Sequence, residues 1–256
     1  MKPLILISND DGYQSGGMRA LIEALRPLAR LVVVAPDRGR SGMACACTFG
    51  VPVYKWLVSD DQDVTVWGCS GTPVDCVKMA FADVLTERPT MVIGGINHGD
   101  NSAVNAHYSG TMGVVYEGCM KGIPSIAFSL DSHDAFADFT PLLPWIQNIT
   151  SYVLEHGLPK GSCLNVNFPS VPVYKGLRFC RMAWGEWKNE FERRNHPRGG
   201  DYYWLTGKFE LEETDDNDAD RVALNEGFIA VTPFKLDATD YALKDELEQA
   251  WGALNG

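Results

Sequence analysis

Five short runs of continuous apolar or β-branched residues recur through the first half of the chain: Leu4–Ile7, Leu31–Ala35, Val64–Trp67, Met91–Ile93 and Ser125–Ser129. A strand with one wet face alternates apolar and polar residues, whereas a continuous run needs cover on both faces. Between most of these runs lie segments with apolar residues at three- and four-residue spacing, Met18–Leu28, Pro73–Leu85 and Thr111–Lys121, which are predicted helices. The pattern between the second and third runs does not resolve into a helix. Strands alternating with helices predict an α/β fold, a mostly parallel sheet between two helical layers.

Beyond about residue 130 the rhythm loosens. Pro141–His156 is a predicted helix, Cys163–Phe168 a short strand-like run, and the segment from Arg178 to Phe209 is aromatic and charged. Within it, Tyr202–Thr206 alternates as a strand does. Glu210–Asp220 is acidic and interrupted, an expected exposed loop, and a final strand, Phe228–Thr232, precedes a helix from about Thr239 to Leu254.

The 256 residues allow one large α/β domain or two small ones. A net charge of −11 argues against general binding of a nucleic-acid duplex, which needs clustered Lys and Arg. A small anionic substrate is still compatible with that charge if a metal, helix-start N–H groups or a few basic side chains receive it. The seven cysteines lack paired C-x-x-C spacing, so reduced thiols are expected. The short apolar start, Leu4–Ile7, is shorter than a signal peptide needs, so none is expected, and no run approaches the ~18 apolar residues of a membrane span. A cytoplasmic protein is expected.

Ligands of an open parallel sheet bind beyond the carboxyl ends of its strands. Those ends are polar here: Ser8–Gly12, Pro36–Gly42, Cys69–Pro73 and Gly94–Asn101. Adjacent carboxylates at Asp10 and Asp11 repel unless a cation lies between them, which suggests a hard divalent ion. In isolation the same pair reads as a helix cap beside a solvated neighbour. Ser41 and Asn97 add neutral oxygens at the same edge and favour the metal. Tyr108–Thr111, directly before a helix, is an anion site or an ordinary N-cap. No G-x-G-x-x-G follows the first strand, and no G-x-x-x-x-G-K-[ST], G-x-S-x-G or H-E-x-x-H is present.

These blocks resemble the SurE (survival protein E) family along nearly the whole chain. Ile7–Gly12 is similar to its metal-binding turn, Ala35–Gly42 to its second loop, Ser70–Val77 to its third motif, and Gly95–Asn101 runs into Tyr108–Thr111 as it does there. Asn165–Pro169, Tyr202–Leu205 and Val231–Pro233 look like its later landmarks. The resemblance implies one domain over residues 1–256. Residues 1–130 would form a three-layer Rossmann-like core, and residues 131–256 a part with a protruding β-hairpin and a C-terminal helical segment exchanged in a homodimer or homotetramer.

It also implies a magnesium- or manganese-dependent phosphatase acting on nucleoside 5'-monophosphates, with 3'-monophosphates and short polyphosphate as further substrates. Asp10, Asp11, Ser41 and Asn97 would hold the metal, Asn9, Ser109, Gly110 and Thr111 would contact phosphate, and Asp10, Asp11 and Asn9 would form the catalytic centre. His98, His107 or a water is left as general acid. Two rivals remain: a non-catalytic nucleotide binder, and an aspartyl-phosphate enzyme, which normally wants a second Asp where Gly12 stands.

Overall fold

The computed structural model describes residues 2–212 and 216–252. The chain runs β1 (Leu4–Ser8), α1 (Gly16–Leu25), β2 (Arg30–Pro36), β3 (Lys55–Asp61), β4 (Val64–Cys69), α2 (Pro73–Met79) and β5 (Met91–His98). It continues through α3 (Asn105–Tyr108), α4 (Gly110–Met120), β6 (Ser125–Asp131), α5 (Leu143–His156), β7 (Ser162–Pro169) and β8 (Leu177–Phe179). The remainder is β9 (Gly185–Lys188), β10 (Phe191–Asn195), β11 (Asp201–Leu205), β12 (Lys208–Leu211), α6 (Asp220–Asn225), β13 (Ile229–Lys235) and α7 (Tyr241–Trp251).

Nine strands form one sheet, ordered β3-β4-β2-β1-β5-β6-β7-β13-β8. From β4 to β7 every pairing is parallel, and β3 and β13 join antiparallel. In chain order these six parallel strands stand 3-2-1-4-5-6, the Rossmann order, whose direction reverses between β1 and β5. The five apolar runs all fall within the sheet, at β1, β2, β4, β5 and β6. β7, β13 and β8 extend it past residue 131.

Each central strand feeds two cores. In β1, Ile5 and Ile7 face the cluster that also holds Met18, Leu21 and Leu25 of α1 and Ile146 and Val153 of α5. Leu6 faces the other way, with Cys76 and Val77 of α2 and Val114 of α4. Burying each such side chain contributes ~1.5–3 kcal/mol. Ser15 caps α1 by accepting from the Met18 N–H. Gly17 lets α1 lie on β5, because a Cβ there would stand 2.0 Å from the Ile96 carbonyl oxygen.

Where the second crossover helix belongs, between β2 and β4, a loop leads into β3, an edge strand that pairs back on β4. Its sequence, KWLVSDD, is mostly exposed and offers no continuous apolar run, which hid it. The Glu210–Asp220 loop expectation is corrected in part. Glu210 and Leu211 belong to β12, and Asp220 is fully buried as a backbone cap; residues 213–215 lie outside the described residues. The final helix starts behind its Asp240 cap, and residues 253–254 of the expected helix lie outside the described residues.

A long hairpin leaves this body between β9 and β12. Lys188 faces Lys208 and Phe191 faces Leu205 in one continuing register, linked across the break by the Thr206 N–H on the Glu190 carbonyl at 2.7 Å. Asn189 and Gly207, both with positive φ, lie at the break. No described helix is long and apolar enough to cross a membrane.

Candidate functional site

The turn after β1 is built by Asn9. Its side-chain Nδ2 donates to the Gly12 carbonyl at 3.1 Å and to Ser15 Oγ at 3.0 Å, and its Oδ1 accepts from the Gly12 N–H at 3.1 Å. Gly12 takes φ 99°, and a Cβ on it would lie 3.3 Å from the Pro36 carbonyl oxygen. The turn therefore lifts Asp10 and Asp11 to the point where the strand order reverses.

Asp10 is buried against the start of α4. The Thr111 hydroxyl donates to its Oδ1 at 2.6 Å and the Gly110 N–H to its Oδ2 at 3.1 Å. Only glycine fits at 110, since a Cβ would stand 2.7 Å from Asp10 Cβ and 3.0 Å from Pro73 Cγ. Asp11 Oδ2 accepts the His98 N–H at 3.0 Å, which ties the turn to the end of β5. The Arg40 N–H donates to the Asp10 carbonyl at 2.6 Å, so the loop after β2 is pinned here too, with exposed Ser41 next along the chain. Asn97, half-buried at the end of β5, donates Nδ2 to the Gly99 carbonyl at 2.8 Å; its Oδ1 accepts no hydrogen bond among the described residues.

Burial pushes the Asp10 carboxyl up to about 6, against the Thr111 hydrogen bond, and repulsion from Asp11 adds to the rise. Burial also raises Asp11, opposed by His98. Among the described residues no Lys, Arg or His makes an ion pair with either carboxylate. Two adjacent carboxylates, one buried and one half-buried, without an ion-pair partner among the described residues and beside free oxygens on Asn97 and Ser41, fit a hard divalent cation. No group of three or more His, Cys, Asp and Glu gathers among the described residues, so neutral oxygens would complete the shell.

The residues expected to contact phosphate make hydrogen bonds within the chain. The Gly110 N–H and the Thr111 hydroxyl both donate to the Asp10 carboxylate. Asn9 is spent on the turn, because a fully buried amide satisfies its donors locally. Ser109 accepts from the Met112 N–H at 3.0 Å as the cap of α4 and keeps its hydroxyl hydrogen. Of the two candidate histidines, His107 is exposed on α3. His98 adjoins the carboxylates, edge-on to Phe139 at 6.1 Å, with a buried Nε2 lacking any partner.

Asn165 and Asn167, which resemble a family landmark but carry no expected role, support the β5 loop through Asn101. The Asn101 N–H donates to Asn167 Oδ1 at 2.8 Å, Asn165 Nδ2 donates to the Asn101 carbonyl at 2.7 Å, and Asn101 Nδ2 donates to Ser129 Oγ at 2.8 Å. The signal was available: two asparagines spaced by two inside an apolar strand share one face. Arg221 of α6 also reaches Asp100 at 3.2 Å and Asp131 at 3.1 Å. No local pattern announces that triad.

Fold and site together define a doubly wound α/β protein with an uncompensated carboxylate pair and a ring of oxygen donors at its switch point. The sequence profile of survival protein SurE matches residues 5–189, and the chain belongs to the SurE family. It is 55% identical over 247 residues to a protein of Phocaeicola vulgatus named 5'-nucleotidase SurE, spanning 96% of each chain. A Bacteroides thetaiotaomicron protein of the same name is 50% identical over 96% of this chain and 95% of its own. The solved structure of the SurE protein from Aquifex aeolicus superposes with a TM-score of 0.82 at 35% identity, covering 97% of this chain and 99% of that one.

Proposed function

We propose that this chain is a 5'-nucleotidase, a phosphomonoesterase that hydrolyses nucleoside 5'-monophosphates to nucleoside and phosphate with one divalent cation, magnesium or manganese. The observation that carries the reading is the Asp10–Asp11 pair at the switch point, buried and half-buried, with no ion-pair partner among the described residues. The names of the relatives support the substrate class. 3'-Monophosphates and short polyphosphate belong to the same reading, since nothing around the carboxylates selects one ester.

Asp10, Asp11, Ser41 and Asn97 would hold the cation. It would supply charge neutralisation at the phosphoryl oxygens and activation of water. The chain's own residues position charge. Thr111 and Gly110 hold the Asp10 carboxylate from two sides, the His98 N–H holds Asp11, and the Asn97 amide is braced on Gly99. Asn9 serves the centre as a positioning residue through its turn, and the Ser109 hydroxyl is the phosphate donor left at the start of α4. Such fixed donors cost no reorganisation as charge develops on the departing ester oxygen. His98 is the histidine best placed to protonate it.

The hairpin of β9 to β12 and helix α7 support a homodimer or homotetramer. A two-stranded ribbon is marginal alone, and Phe191, Tyr203, Trp204 and Leu205 are all more than half exposed on it. A cytoplasmic setting agrees with seven free cysteines. The test is phosphate release from nucleoside 5'- and 3'-monophosphates with manganese, magnesium or chelator. Metal-dependent release is expected. No release from folded protein with any metal would leave only nucleotide binding.

A further inference from the structure

At the carboxyl ends of β6 and β7 a cavity of about 350 Å³ opens beside the carboxylate site. Its inner wall is Leu130 and Tyr174, which pack on the core beneath α1 and α5. Leu130 pairs with His98, and its carbonyl accepts the Gly99 N–H at 2.9 Å, so the cavity begins one strand, about 4.8 Å, from the loop that holds Asp11. The outer wall is the segment from Ser132 to Pro141, and this segment also borders the carboxylate site. His133 lies over Gly99, where a Cβ would stand 2.9 Å from its Cε1, and Phe139 stands against His98. One wall therefore serves both spaces.

The lining has no Lys, Arg or His, and it carries Asp134 and Asp138, so it repels phosphate. It is suited to the uncharged end of a substrate. Phe136 stands at the rim, 93% exposed, an aromatic face with nothing stacked on it. Asp134 spends Oδ1 on the Phe136 N–H at 2.9 Å, and its Oδ2 accepts nothing among the described residues. The volume falls at the small end of ligand sites, which run from ~300 to ~1,000 Å³, and suits one base with its sugar rather than a dinucleotide.

We propose that this cavity seats the base of the nucleoside monophosphate, with Phe136 as its stacking platform and Asp134 as acceptor for an exocyclic amino group. The proposal rests on the nucleotidase reading and gives that reading a base preference: adenosine, cytidine and guanosine monophosphates over inosine and uridine monophosphates.

The test compares adenosine 5'-monophosphate, inosine 5'-monophosphate and ribose 5-phosphate on wild type, Phe136→Ala and Asp134→Asn, with calorimetric binding of adenosine alongside. Because Phe136 is on the surface, its variant should fold. Loss of a base stack raises KM for both nucleotides about tenfold, with kcat and all constants for ribose 5-phosphate within twofold of wild type. Asp134→Asn brings the adenosine ester down to the inosine ester. An unchanged KM for adenosine monophosphate in Phe136→Ala, or an equal rise for ribose 5-phosphate, overturns the proposal while the nucleotidase reading stands. If wild type hydrolyses none of the three, that reading falls and calorimetry decides the cavity. Adenosine binding weakened by Phe136→Ala supports it, and binding that is absent or unaffected overturns it.

Discussion

The six parallel strands and the hairpin of β9 to β12 use the same side-chain types to opposite ends. In β1, Ile5, Leu6 and Ile7 are all fully buried between two helical layers, while in β11 Tyr203, Trp204 and Leu205 are all exposed. The difference shows where this chain has spent its hydrophobic surface. Burial on both faces fixes the positions of β1 and β5, so residues at their ends can be held within hydrogen-bond tolerance. The ribbon is held by backbone pairing and a few side-chain contacts, Trp187 against Phe209 among them. A site that must keep two carboxylates together belongs on the first region, and the proposed contact with another chain would fall on the second.

The contrast breaks most visibly at Asp11. Asp11→Asn should cut phosphate release at least ~100-fold while leaving the melting temperature level or higher, because it removes a half-buried charge held against Asp10 without touching the core. Rate and thermal unfolding on one sample check this. Gly110→Ala comes next: its Cβ would press Asp10 against Pro73, so calorimetric affinity for manganese should fall ~10- to 100-fold with a lower melting temperature. Thr111→Val strips one donor from a buried carboxylate and should cost ~1–3 kcal/mol in urea unfolding at neutral pH, with a smaller loss of rate than Gly110→Ala. The smallest effect falls on the ribbon. Trp204→Ser should change urea unfolding of dilute protein by less than ~0.5 kcal/mol and lower the particle mass seen by light scattering. A large stability loss there would mean the two regions are not distinct.

What could be read in advance follows the same division. Five continuous apolar runs disclosed the parallel strands because double burial leaves short β-branched runs bounded by turn residues, too brief for buried helices. Polar residues crowded after β1, β2 and β5 pointed to the candidate site, since the sheet brings strand ends together whatever the connections do. β3 was silent because an exposed edge strand needs no apolar face. The partners of Asp10 were also beyond reach. Ser109–Gly110–Thr111 has the composition of a phosphate cradle, and only the approach of the start of α4 to the turn after β1 shows that the Gly110 N–H and the Thr111 hydroxyl also donate to a carboxylate of the same chain. Asp220 misled through its acidic neighbours: its carboxylate accepts from the N–H groups of Ala103 and Ala183, residues far apart in sequence.

The central claim is that the Asp10–Asp11 pair seats a divalent cation needed for phosphate release. Manganese titrated calorimetrically into chelator-treated protein, with phosphate release from adenosine 5'-monophosphate followed on the same samples, tests it directly. The account predicts one binding event per chain, activity that rises with its saturation, and loss of both in Asp11→Asn. Binding and hydrolysis that persist undiminished in Asp11→Asn, or full activity in excess chelator, would contradict it.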